Sequence, residues 1–339
     1  MAELREKYGF PLFTRQNSSV YLGNEKKLII SDVWSFLDYV IKKHNTNKWY
    51  LLSLLDQARN FYAAAEEVPL RSKPLLFYYS FLNLAKIILN LEYGYGNNAD
   101  YIHGIGERNN TSFQTSTITL HSISTPPRIK VATELLRLFN GVTIAANTTI
   151  NIKSFLKHCV GIHRAYSEIY KQPEIFHKLD NTEFYRNGKT IGIKANIRCT
   201  PGNFTSLTNI GYPIALQNDQ YILKEEFLTA RYNPARQDYY NLSQQFNNRG
   251  IWYFIGSNGY TAYISSDPNH RYGTEIIIYN MVFYLGSITR YKPELFDEIF
   301  DATEQWLMSE FLTTQPKQFL YLATAKLLGQ NVLKAYTSF

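Results

Sequence analysis

The chain has 339 residues, 45% hydrophobic and 19% charged, a balance that excludes a mostly disordered polypeptide and leaves room for one large domain or two ordinary ones. Phe, Trp and Tyr make up 15% of the residues, and rings of that size bury about 150–250 Å² each, so a substantial core is within reach. The net charge of +7 is uneven: residues 1–170 carry +6 and residues 171–339 carry +1, which makes the first half compatible with nucleic acid or an acidic protein partner.

In chain order, Ser31 is placed to cap a helix through about Lys43, with Val33, Phe36, Leu37, Val40 and Ile41 at helical spacing. A second helix is predicted over Lys48–Glu67. A third starts at Ser72 or Lys73, with Pro74 suited to the first turn, and ends at Gly94. This third helix is apolar almost all round, the signature of a buried helix. Its polar residues Ser80, Asn83, Lys86 and Asn90 form one stripe, which reads either as the edge of a core helix or as the lining of a cleft. Thr111–Ser124 reads as one or two strands, Val131–Phe139 as a short helix capped by Gly141, and Asn151 or Ser154 as the start of a helix to Tyr170. From about 182 to 266 the apolar period changes to two. The Asn187-Gly188 and Asn258-Gly259 pairs mark hairpin turns, and a helical stretch is expected near Leu223–Ala230. The end of the chain returns to helix: Thr274–Thr289, then one begun by Pro293 and another begun by Pro316.

Several chemistries are absent. The chain has no Gly-x-x-x-x-Gly-Lys-Ser/Thr phosphate loop, no Cys-x-x-Cys, no His-Glu-x-x-His and no Gly-x-Ser-x-Gly elbow. No cofactor and no metal site are therefore expected. Cys159 and Cys199 are too few for a disulfide framework in a chain this long. Met1–Gly9 has no apolar region of a secretory signal, and the longest apolar run, Leu75–Leu91, is interrupted by its polar stripe. The expectation is a cytoplasmic protein without a membrane segment.

Two blocks carry a family resemblance. Pro74-Leu-Leu-Phe-Tyr-Tyr-Ser-Phe-Leu-Asn-Leu-Ala-Lys-Ile-Ile-Leu89, followed by His103-Gly104, and Tyr284-Leu-Gly-Ser-Ile-Thr-Arg-Tyr-Lys-Pro293 together resemble the bacterial YaaC-like proteins. The first block and the helix before it also look like the HEPN superfamily of helical domains, many of them ribonucleases of defence systems and others non-catalytic. HEPN ribonucleases use an Arg, four to six variable residues, then His. None of His44, His103, His121, His158, His163, His177 and His270 follows an Arg at that spacing, and His103 followed by Arg108 has the order reversed.

The resemblance implies a mainly α (α+β) fold: a HEPN-like helical body made by residues 1–180 and 271–339, with a β-hairpin region inserted over 181–270. The expected function is a non-catalytic or weakly catalytic module of a bacterial defence or stress system, antiviral among them, binding nucleic acid or a partner subunit. The alternatives are an atypical ribonuclease or nucleotide-modifying enzyme and a structural subunit, homo-oligomeric or with a protein partner, whose aromatic surfaces form the interface. Candidate residues are His103 and Arg108 for catalysis, since His103 sits between flexible Gly-rich segments. Asn83, Lys86 and Arg290 are the candidates for ligand binding, and Lys42, Lys43 and Lys48 for nucleic-acid binding.

Overall fold

The computed structural model describes residues 2–3, 27–44, 48–96, 98–107, 111–123, 127–198, 207–208, 211–218, 220–230, 236–256, 259–267, 272–329 and 331–334. In chain order the elements are β1 (Ala2–Glu3), β2 (Lys27–Ile29), α1 (Val33–His44), α2 (Lys48–Glu67), α3 (Lys73–Tyr93), β3 (Asp100–Ile102), β4 (Ile105–Glu107), β5 (Thr117–Leu120), β6 (Arg128–Lys130), α4 (Val131–Asn140), β7 (Thr148–Asn151), α5 (Ile152–Leu156), a 3₁₀ turn (Val160–Ile162) and α6 (His163–Tyr170). They continue with β8 (Phe176–Asn187), β9 (Thr190–Arg198), β10 (Ile214–Gln217), β11 (Gln220–Leu228), α7 (Arg236–Asn248), β12 (Ile251–Gly256), β13 (Gly259–Ser265), α8 (Thr274–Tyr291), α9 (Pro293–Asp301), α10 (Gln305–Leu328) and β14 (Asn331–Leu333).

The chain divides into two compact units, one of residues 1–31, 174–271 and 321–339 and the other of residues 32–173 and 272–320. The first is built on a seven-stranded antiparallel sheet in the order β10-β11-β9-β8-β13-β12, with β1 paired to β8. Alternation along β9 buries Ile191, Ile193, Ala195 and Ile197. Leu242 and Phe246 of α7, one helical turn apart, and Leu322 of α10 join the same cluster. Strands β2 and β14 of the same unit pair in parallel as a separate two-stranded sheet.

The second unit is helical, with small sheets β3-β6 and β4-β5-β7 at its side. Its central helix α3 has Leu84, Ala85, Ile87, Ile88 and Leu89 fully buried. The Phe81 ring lies 4.2 Å from that of Phe319, and Tyr78 meets Phe283 edge-on at 5.2 Å. Gly94 closes α3 in the left-handed conformation, its N–H donating to the Asn90 carbonyl.

A mainly α, HEPN-like helical body is overturned by this architecture. Strand accounts for about 24% of the chain beside about 53% helix, and the seven-stranded sheet is a layer with its own core, not a hairpin appended to helices. Local corrections have physical reasons. Leu223–Leu228 lies within β11, not in a helix; pairing with β9 over eight positions overrides the helix-forming Leu-Lys-Glu-Glu run. Helix α7 was not expected; among its described side chains the buried apolar ones are Leu242 and Phe246. Pro316 does not start a helix but sits inside α10, where the Thr313 and Thr314 hydroxyls donate to the Ser309 and Glu310 carbonyls. Asp32, not Ser31, caps α1, accepting from the N–H groups of Trp34 at 3.0 Å and Ser35 at 3.3 Å. The helix expected over residues 151–170 is broken into α5, the 3₁₀ turn and α6. Both hairpins exist, but Asn187 pairs with Thr190, so Gly188-Lys189 is the two-residue turn, with Gly188 at φ 58°. Asn258 lies outside the described residues.

Candidate functional site

His103 is positioned by backbone. Strand β3 pairs in parallel with β6 and delivers His103 at its end, where its carbonyl accepts from the Ala132 N–H at 3.0 Å. Gly104 follows at φ +70°, and its carbonyl accepts from the His121 N–H at 3.0 Å. A Cβ on Gly104 would come within 2.7 Å of the Lys130 Cβ, so only glycine fits this crossing.

The His103 imidazole lies against α3 and α8, its ring 5.6 Å from Tyr78 and 6.2 Å from Phe283, and it remains open to solvent on its other side. Nδ1 is hydrogen-bonded to the Tyr78 hydroxyl. Burial pushes the Tyr78 phenol well above its ordinary pKa, so it stays protonated.

The charges of two cations reach this imidazole. Arg290, at the end of α8, donates from Nη1 to the Tyr79 hydroxyl at 3.0 Å. Lys86 projects from the middle of α3 and is half-buried. Desolvation first, then the charges of Arg290 and Lys86, hold the His103 pKa below its ordinary 6.5, and burial lowers that of Lys86. No carboxylate contributes to either shift. A desolvated lysine and an imidazole under the charge of an arginine, with no carboxylate among the described residues acting on either pKa, are suited to an anion.

Of the residues singled out from the sequence, His103, Lys86 and Arg290 are thus coupled electrostatically. Asn83 is buried on the same helix, but its amide donates to Gln57 Oε1 at 3.3 Å, which ties α3 to α2. Arg108 lies outside the described residues. Lys42, Lys43 and Lys48 belong to a different place, the end of α1 and the start of α2. There Lys42 is bonded to Asp38 at 2.7 Å, while Lys43 and Lys48 lie over the rings of Tyr39 and Trp49. Sequence reasoning missed Tyr78 and Tyr79. They are adjacent in a run of apolar and aromatic residues, and only the helix rotation of about 100° per residue separates a buried hydroxyl aimed at His103 from a half-exposed one that anchors Arg290.

Among the described residues no three His, Cys, Asp or Glu side chains come together as a metal-ligand group. Among the described residues one helix, α3, is long and apolar enough to cross a membrane, and 78% of its most apolar stretch is buried inside the protein. A family model described as YaaC-like Protein matches residues 20–327, so the chain belongs to the YaaC-like family. No curated protein and no solved structure matches it.

Proposed function

We propose that this member of the YaaC-like family binds a phosphate-bearing ligand, a nucleic-acid strand foremost, with phosphoryl oxygens gripped by Arg290, Lys86 and His103. What supports this reading is that His103 and Arg290 are held by the adjacent Tyr78 and Tyr79 of α3, and that the charges of Arg290 and Lys86 reach the imidazole with no carboxylate among the described residues acting on it. Charge-assisted hydrogen bonds to phosphate are about twice as strong as neutral ones, and the arginine fork matches two phosphoryl oxygens at once.

The Tyr78 contact favours binding over bond cleavage. A buried, protonated phenol needs an acceptor, and Nδ1 of His103 is its hydrogen-bond partner. With Nδ1 accepting, the proton of the neutral imidazole resides on Nε2, which then donates to a ligand oxygen and has no lone pair left to act as a base.

The test is calorimetric titration with pyrophosphate and with a single-stranded oligonucleotide. Wild-type protein is expected to bind both, with affinity falling as salt rises. Lys86→Gln and Arg290→Gln are each expected to weaken pyrophosphate binding about tenfold or more. A double variant that binds as the wild type does would overturn the assignment.

A further inference from the structure

The end of α1 and the start of α2 present an arrangement that the packing of the fold does not explain. Trp49 is 76% exposed and Tyr39 is 53% exposed. Lys48 Nζ lies 5.9 Å from the Trp49 ring centroid, and Lys43 Nζ lies 5.7 Å from that of Tyr39. The apolar faces of the two helices point elsewhere: Val33, Leu37, Val40 and Ile41 on α1 and Leu51 and Leu55 on α2 are buried.

Neither placement helps the fold. A tryptophan left three-quarters exposed forgoes most of the burial its ring offers. A lysine in the first turn of a 20-residue helix faces the positive end of the helix dipole, and α2 has no acidic residue there to offset it. Lys43 and Lys48 make no ion pair with a carboxylate among the described residues, whereas Lys42 spends its charge on Asp38 at 2.7 Å.

We propose that the exposed Tyr39 and Trp49 rings are stacking contacts for unpaired nucleic acid, each offering a face to a base while the lysine beside it, Lys43 or Lys48, holds a neighbouring phosphate. Every base has a π-face, so exposed rings flanked by cations recognise a single strand irrespective of sequence. A duplex hides those faces and offers only its phosphates. A protein interface is a poorer match, because lysine is depleted from interface cores and here a lysine accompanies each ring. A membrane surface is also a poorer match, since the apolar faces that would enter it are already buried in the protein.

These contacts rest on the nucleic-acid part of the preceding proposal but not on the site at His103. The experiment is fluorescence anisotropy with a labelled single strand of about a dozen uridines, a duplex of the same length and an anionic lipid vesicle. Pyrophosphate titration in parallel reports on the other site. The single strand is expected to bind more tightly than the duplex. Trp49→Ala is expected to lower single-strand affinity about tenfold or more and leave pyrophosphate binding unchanged. Lys43→Gln with Lys48→Gln is expected to flatten the salt dependence by roughly 0.7 per lost phosphate contact in log–log slope. Equal affinity for duplex and single strand, an unaffected Trp49→Ala variant, or binding to the vesicle alone would overturn the stacking contacts. Loss of pyrophosphate binding with single-strand stacking intact would instead overturn only the site at His103. These side chains are exposed, so an unchanged melting temperature is the expected control.

Discussion

Arg290 and Tyr79 are joined by a 3.0 Å hydrogen bond across 211 positions of sequence. The guanidinium also lies 5.9 Å from the Tyr79 ring centroid and 4.7 Å from that of Tyr291. The two sequence blocks that carry the family resemblance meet at this bond, which fixes a cation whose charge reaches His103. Tyr79→Phe keeps the ring and removes the acceptor. At so exposed a contact the cost in stability is expected to stay within about 1 kcal/mol. Pyrophosphate affinity should nevertheless fall severalfold, because the arginine loses its anchor. Chemical denaturation and calorimetry on the same variant separate the two effects.

Phe81 is fully buried and its ring lies 4.2 Å from that of Phe319. Phe81→Ala removes a large side chain from the middle of α3, where neighbouring helices have little freedom to collapse. The expected loss is about 3–5 kcal/mol, read as a shift of the urea midpoint. A loss below about 1 kcal/mol would remove α3 from the centre of the core.

Gly104 tests how His103 is delivered. At φ +70° with the Lys130 Cβ 2.7 Å from where its own Cβ would stand, alanine here is strained both in backbone and in space. Gly104→Ala is expected to cost on the order of 1–3 kcal/mol and to weaken pyrophosphate binding as His103 shifts. Gly96, also at positive φ but with open space around it, is the control: Gly96→Ala should cost less and leave binding intact.

The depressed pKa of His103 has a consequence for stability. Its pKa in the folded protein is lowered from 6.5, chiefly by burial, so as pH falls below about 6.5 the unfolded chain takes up a proton that the folded chain refuses. Stability therefore declines as pH drops from the unfolded value through the folded one, and this group adds no slope above about pH 7.5. The buried His177 shifts in the same direction for the same first cause. Unfolding midpoints measured from pH 7.5 to 5 should fall, and His103→Gln should reduce that slope without abolishing it.

Much of the helical unit was legible in the sequence. Proline and glycine punctuate α3 at both ends, and the apolar period of α2 is unbroken over its length, so local signals and tertiary packing agree. The sheet was harder to read. Its hairpins announce themselves through turn residues, but β11 is composed of helix formers and becomes a strand only because β9 lies alongside. Pro316 misled for the complementary reason, since packing of Leu312 and Phe319 on either side of it holds one continuous helix through a local breaker. At the site, His103, Lys86 and Arg290 stood out by residue type and position. Tyr78 did not, because the side of α3 on which His103 lies is set by the β3–β6 pairing, and neither of those three-residue strands has a pattern of its own.

The central claim is that His103 lies in an anion site built by Lys86 and Arg290, and the most direct measurement is the His103 titration curve. Imidazole NMR on labelled protein across a pH series, with and without saturating pyrophosphate, reads it at the atom concerned. The account predicts a pKa below 6.5 in the free protein, an upward move when pyrophosphate neutralises the two cations, and a muted response in the Lys86→Gln, Arg290→Gln double variant. A His103 pKa indifferent to pyrophosphate would contradict it.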